Sequence, residues 1–391
     1  MAYMDFTKLI SRRIENAQGG EREELLKLSE NIPDLIRLGR GDPDLDTPEH
    51  IKQAAIYALN ENKTHYTHWA GTPALRQAIC DKLARDNDLS YTPDEVIVTT
   101  GVEEAMMCTM LALLNEGDEV IMGDPFYTSY GECVKIAGGK LVLVPTTEAN
   151  SFVLTADEIR AHITEKTKLL VIVSPNNPTG TLTPRNEMEK IAKLAVEKDL
   201  LVISDEIYEK IIYEDYQHTS LASFAGMKER TIVFNGFSKA FSMTGWRIGY
   251  MAAPAQLVSL MQSLVNSTTI SVNEFVQEAA FAALTKGDAC IEQTVTIYNE
   301  RREAMMKALD RCGIKYNYPK ACLYMWVNIQ STGLSSYEFC KKLLLEGSVQ
   351  MFPGTVYGKG GEGYIRVSLL APTDRLLEAA NRIVKVFGKD S

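Results

Sequence analysis

Lys239 stands in the run Ser238-Lys239-Ala240-Phe241-Ser242-Met243-Thr244-Gly245-Trp246-Arg247-Ile248-Gly249, just after the short apolar stretch Thr231-Ile232-Val233-Phe234. A lysine amine can form a Schiff base with a carbonyl compound, and an arginine nearby can hold a phosphate. Most lysines are solvated surface charges, so the pair gains meaning only from what accompanies it. Asp205 ends another apolar stretch, in Ser204-Asp205-Glu206-Ile207-Tyr208. A carboxylate there is costly unless a cation or hydrogen bonds compensate it, although a helix N-cap is the commoner role. Thr99-Thr100-Gly101 leads into a helical pattern over 103–114. Backbone N–H groups at such a turn attract anions; the plain alternative is a turn and cap. Asp124-Pro125-Phe126-Tyr127-Thr128-Ser129-Tyr130 offers an aromatic that either stacks on a flat heterocycle or packs in the core. In the irregular loop Ser174-Pro175-Asn176-Asn177-Pro178-Thr179-Gly180, a held asparagine amide can donate to a phenolate-type oxygen.

Each feature has an ordinary structural explanation by itself. They recur, however, after apolar runs at 95–99, 119–122, 141–144, 169–173, 201–204 and 231–234. Those runs are short, rich in β-branched residues and apolar at consecutive positions, as strands buried on both faces are. Helical patterns lie between them, apolar almost all round at 103–114 and amphipathic at 185–197, with Gly117 a stop signal after the first. The class is therefore α/β, a mainly parallel sheet covered by helices. Ligands of such sheets collect at the carboxyl ends of the strands. An anion nest, a stacking ring, an amide donor, a carboxylate for a pyridinium and a lysine, gathered there, meet the demands of pyridoxal 5'-phosphate (PLP).

After residue 290 the pattern changes. A charged helix candidate at 291–311 leads into strand patterns around 323–327 and 364–369, and an amphipathic helix follows near 372–387. At 391 residues the chain exceeds one compact core of usual size. The expected division is a large PLP-binding domain over 46–289 and a smaller α+β domain made of 1–45 and 290–391. Apolar content of 45% and charged content of 24% are those of a soluble globular protein. A net charge of −10 argues against a nucleic-acid partner. The seven cysteines are scattered and fit no zinc spacing, which implies reduced thiols and no metal. The N-terminal stretch lacks the apolar core of a signal peptide, and no apolar run is long enough to span a membrane. Together these features point to a cytoplasmic protein.

The motifs Gly41-Asp42-Pro43-Asp44-Leu45-Asp46-Thr47-Pro48, 174–180, 204–208, 238–249 and Tyr364-Ile365-Arg366-Val367-Ser368, in that order, make the chain resemble the class I/II aminotransferases, which are fold-type I PLP enzymes. The resemblance is greatest to the subgroup of aspartate, aromatic and kynurenine aminotransferases. It implies a seven-stranded sheet with helices on both faces, and transfer of an α-amino group from an L-amino acid to a 2-oxo acid by a ping-pong route. Lys239 would carry the Schiff base and move the proton at the substrate α-carbon. Asp205 would pair with the pyridine nitrogen, while Asn177 and Tyr208 would bind the ring 3-oxygen. Tyr127 would stack on the ring. Arg247, Ser238, Gly101 and the backbone of Val102 and Glu103 would hold the phosphate. Arg366 would grip the substrate α-carboxylate bidentately, with Asn177 and the Gly41 backbone beside it. Tyr66 would reach the phosphate of a neighbouring subunit, so the implied assembly is a homodimer with composite sites. The resemblance also implies cis bonds at Asp124–Pro125 and Asn177–Pro178.

Five positions depart from the family pattern. Gly236 replaces a frequent serine or threonine, Val102 replaces a second glycine, and His68-Trp69 replaces a Pro-Pro pair. Glu103 stands where relatives that accept acidic substrates have a lysine. If it lines the pocket, it steers selection toward aromatic, neutral or basic side chains; the alternative is a carboxylate that stabilises a helix N-terminus. A C–S β-lyase is the alternative activity, because elimination uses the same lysine and electron sink. A non-catalytic PLP-binding regulator domain is a distant third.

Overall fold

The computed structural model describes residues 20–388, together with 9–11 and 13. Its strands are β1 (Ile36–Arg37), β2 (Val96–Thr99), β3 (Glu119–Asp124), β4 (Lys140–Pro145), β5 (Thr167–Val173), β6 (Leu201–Asp205), β7 (Thr231–Gly236), β8 (Gly249–Ala252), β9 (Tyr316–Asn317), β10 (Tyr324–Asn328), β11 (Val349–Gln350), β12 (Phe352–Pro353) and β13 (Tyr364–Ser368). Strands β2 to β8 form one sheet in the order β2-β8-β7-β6-β5-β3-β4. All its pairings are parallel except those of β8, which runs antiparallel between β2 and β7.

Strand alternation explains why helices cover both faces of this sheet. Val120, Met122, Leu169, Val171, Ile203 and Phe234 enter one core, beneath the helices Val102–Leu113 and Thr128–Ile136. Their neighbours Ile121, Leu170, Ile172 and Val202 enter another, against the helix Arg185–Glu197. That helix buries Met188, Ile191, Ala192 and Ala195, the spacing of one helical face.

A second sheet, β12-β13-β10-β9, and the short parallel pair of β1 with β11 belong to a separate core. Leu25, Ile36 and Leu38 pack there with Leu323, Leu343, Leu376 and Ile383, so the described N-terminal segment joins the C-terminal part of the chain. The helix Thr373–Phe387 contributes Leu376, Ala379, Ala380 and Ile383 at helical spacing. Tyr208, Ile211 and Tyr213, which follow β6, enter the same core. The carboxyl end of the central strand β6 is thus tied to the smaller core.

One expectation needs correction, and one alternative falls away. Gly117 does not end the preceding helix: Leu114 already turns to extended geometry, and Gly117 (φ +89°) sits in the following turn. Asp205 caps no helix. It is the last residue of β6, and its Oδ1 accepts the Ile207 N–H at 3.1 Å in a turn. Cis bonds occur at Asp124–Pro125 and Asn177–Pro178, and also at Ser174–Pro175. Among the described residues no helix is long and apolar enough to cross a membrane. The seven cysteines are free and buried or half-buried, and burial pushes the Cys80 thiol up to about 11.

Candidate active site

The residues that follow β2, β3, β5, β6 and β7 open onto one cavity of about 520 Å³. The smaller sheet and its loops complete the wall with Tyr324, Phe352, Tyr357 and Arg366. Of the residues singled out from sequence, Gly41, Gly101, Val102, Glu103, Tyr127, Asn177, Asp205, Tyr208, Ser238, Lys239, Arg247 and Arg366 all line it. Tyr66 does not; it is 79% exposed on the outside of the chain.

Lys239 Nζ donates to the Gly41 carbonyl at 2.8 Å and lies 5.9 Å from the centre of the Tyr208 ring. Across the cavity, Asp205 is buried and accepts the Tyr130 hydroxyl at 2.6 Å. Both donors to Asp205 are neutral, and no described cation pairs with it. Burial therefore pushes its carboxyl up to about 6, against the pull of Tyr130 and the Ile207 N–H. A protonated ring nitrogen would supply the missing positive charge.

Arg366 is the complementary case, a buried cation without a described carboxylate partner. Its guanidinium sits 4.0 Å from the Tyr324 ring centre and 4.7 Å from that of Tyr357. Nη1 donates to Asn177 Oδ1 at 2.9 Å and Nη2 to the Gly39 carbonyl at 2.7 Å, while the buried Nε has no partner. Buried charges of this kind are strongly disfavoured without a counter-ion, so the arrangement suits an incoming carboxylate. Asn177 thereby spends its carbonyl on Arg366 and keeps its amide N–H groups for another acceptor. Tyr208 Oη lies 3.3 Å from Tyr324 Oη.

At the other end, Gly101 (φ +91°) precedes the helix Val102–Leu113, whose first N–H groups lack intrahelical acceptors. A Cβ at Gly101 would fall 2.9 Å from Arg247 Nη2, so any side chain would displace the guanidinium. Arg247 is exposed and donates to the Thr244 carbonyl at 3.0 Å. Glycine turn, helix N-terminus and arginine together make a donor set that fits a phosphate. The residues present therefore fit PLP at both of its polar ends.

Glu103 does line the cavity, but its Oε2 accepts the Ser129 hydroxyl at 2.8 Å, tying two helix starts together beside Tyr127. Several cavity residues escaped the sequence reading. Tyr130 could have been found, because it stands one helical turn after Tyr127 in a segment already singled out. Tyr324, Tyr357, Arg22 and Arg40 carry no local signal.

Comparison with known proteins shows the family. Residues 33–383 match the model of the family Aminotransferase class I and II. The chain is 42% identical over 381 residues to an aspartate aminotransferase of Pyrococcus abyssi, covering 97% of this chain and 98% of that one. It is 39% identical to an aromatic-amino-acid aminotransferase of Thermococcus litoralis, with 97% and 98% coverage. Among solved structures, the Thermus thermophilus aspartate aminotransferase with maleate superposes with a TM-score of 0.91 at 38% identity, over 96% of this chain and 99% of that one.

Proposed function

The chain belongs to the class I and II aminotransferases and is a PLP-dependent transaminase; from that premise we propose that the single cavity serves both half-reactions with one set of side chains. The observation that carries this reading is the pairing of two uncompensated buried charges, Asp205 and Arg366, around Lys239. Asp205 would hold the ring nitrogen, and the Asn177 amide with the Tyr208 hydroxyl would hold the 3-oxygen. Tyr127 would cover the ring face. Arg247, Ser238 and the N–H groups after Gly101 would hold the phosphate. When bound, PLP supplies an electron sink for negative charge at the substrate α-carbon.

Arg366 would take the substrate α-carboxylate, and its two tyrosine neighbours exclude water and fix the plane of the guanidinium. That contact sets the α-carbon toward Lys239, whose Nζ would remove and return the α-proton. The Gly41 carbonyl would anchor the amine whenever it is free of the cofactor. The division into 46–289 and the remainder would place PLP on the large sheet and the substrate carboxylate on the small one. Exposed Tyr66 would complete the phosphate site of a second copy in a homodimer. Free cysteines fit a reducing compartment such as the cytoplasm.

The test is to add single amino acids to PLP-loaded protein and follow the cofactor's visible absorbance together with oxo-acid release. A productive donor changes the absorbance, and a 2-oxo acid restores it. If no donor does so, this assignment of roles fails. Pyruvate release from cysteine conjugates without an acceptor would instead indicate elimination.

A further inference from the structure

We propose that Asp124 is a positioning residue for the substrate carboxylate: it fastens the glycine-rich loop between β12 and β13, so that Tyr357 stays over Arg366. The inference rests on the reading that Arg366 takes the α-carboxylate. The loop, residues 354–363, carries Tyr357, whose ring centre lies 4.7 Å from the Arg366 guanidinium. Five of its ten residues are glycine, so it has little stiffness of its own and its position depends on anchors. Asp124, the last residue of β3, is buried in the large sheet. Its Oδ2 accepts the Gly360 N–H at 3.0 Å, and the nearby Phe126 N–H donates to the Tyr357 carbonyl at 2.8 Å. The loop is shaped around this carboxylate. A Cβ at Gly358 (φ +119°) would run into Asp124 Oδ1, and one at Gly360 would lie 3.1 Å from the same atom.

The Asp124 side chain is not what holds its own strand. The backbone does that: the Asp124 carbonyl accepts the Thr146 N–H at 2.9 Å and the Thr146 hydroxyl at 3.0 Å, and β3 pairs with β4 as far as Asp124 and Pro145. The carboxylate serves the loop, and at a cost, because Oδ1 is buried without a partner. Other side chains that hold the loop, Ser336 at Gly363 and Glu21 at Thr355, belong to helices of the smaller core. Among the described residues, its hydrogen bonds to the large sheet come from Asp124 and Phe126. Within the small sheet, the Tyr357 ring meets Trp326 edge-on at 6.0 Å, and Trp326 stands opposite Arg366 in β10–β13. A loosened loop would let Tyr357 leave the guanidinium and let water solvate the charge that a carboxylate is meant to meet.

The test is calorimetric titration of PLP-loaded protein with pentanoate, a simple monocarboxylate, together with the rate at which PLP is lost on dilution. Asp124→Ala should weaken pentanoate binding about five- to tenfold and change the rate of PLP loss less than about twofold. Asp124→Asn, which keeps an acceptor for the Gly360 N–H, should restore most of the affinity. Tyr357→Leu should weaken binding to a similar degree, and adding Asp124→Ala to it should cost nothing further, because Asp124 acts through Tyr357. Asp124→Ser, too short to reach Gly360, replaces an alanine variant that does not fold. Unchanged pentanoate binding in Asp124→Ala, full additivity with Tyr357→Leu, or PLP loss accelerated as much as pentanoate binding is weakened overturns the proposal. Failure of the underlying reading looks different: Arg366→Met would then bind pentanoate as tightly as the wild-type protein does.

Discussion

Asp205 and Glu206 are consecutive and both buried, yet they face opposite sides of the sheet. Asp205 shares its face with Ile203 and looks into the cavity with only neutral donors on its oxygens. Glu206 shares its face with Ser204, and its environment is fully furnished. Oε1 accepts the Ser204 and Ser220 hydroxyls at 2.8 and 2.6 Å, and Oε2 meets His218 Nε2 at 3.0 Å and Asn87 Nδ2 at 3.4 Å. Beside it, Lys82 pairs with Glu209. One carboxylate is saturated by the fold and holds strands and helices together. The other is left short of positive charge, so that something outside the chain must supply it. Stability and function are thus divided between neighbours by the direction of a side chain.

That division can be broken by experiment. The largest effect belongs to Lys239→Ala, which should lower transamination by ~1000-fold or more while leaving the melting temperature of the PLP-free protein nearly unchanged. Retained activity would remove the cavity from the chemistry. Asp205→Asn and Glu206→Gln should then separate. The first should reduce turnover by about 100-fold and stabilise the PLP-free protein at neutral pH by up to about 3 kcal/mol. The second should cost about 2–4 kcal/mol in urea denaturation and change turnover per folded molecule little. If the two variants behave alike, the contrast between the faces is wrong.

The pH dependence sharpens the same point. Asp205 rises from its ordinary 3.8 to about 6 in the folded, PLP-free chain, so the proton is bound more tightly folded than unfolded. Its contribution to stability is present below pH ~4 and is lost as pH climbs through about 6, roughly 3 kcal/mol in all. Urea midpoints measured from pH 4 to 7 should show this decline in the wild-type protein and not in Asp205→Asn; matching slopes would count against it. The smallest effect is that of Tyr130→Phe. Removing this donor, a loss of about 1 kcal/mol of hydrogen bonding, should move the declining limb about 0.7 pH unit higher, and PLP should dissociate a few times faster. An unmoved limb would mean that Tyr130 does not tune Asp205.

Much of the site was legible because its parts are local. Gly101, Asn177, Asp205 and Lys239 each follow an apolar run that could only be a buried strand, and a parallel sheet brings such ends to one edge. The amphipathic helices Arg185–Glu197 and Thr373–Phe387 were legible for the same reason: their periodicity is written in consecutive residues. The helix end near Gly117 misled, because the chain had already turned at Leu114. What Glu103 contacts was not legible, since its hydrogen bond to Ser129 depends on how two helices meet.

The sequence alone determined the fold class, the cofactor chemistry and the residue types at each strand end, because hydrophobic periodicity and motif order are properties of neighbouring positions. The tertiary structure alone decided which charges are left uncompensated. Arg366 finds Asn177 and Gly39 across long stretches of chain, and buried Asp124 keeps one oxygen without a partner beside Gly358. A side chain's direction and its counter-charge are set by packing between distant segments, and no local pattern encodes them.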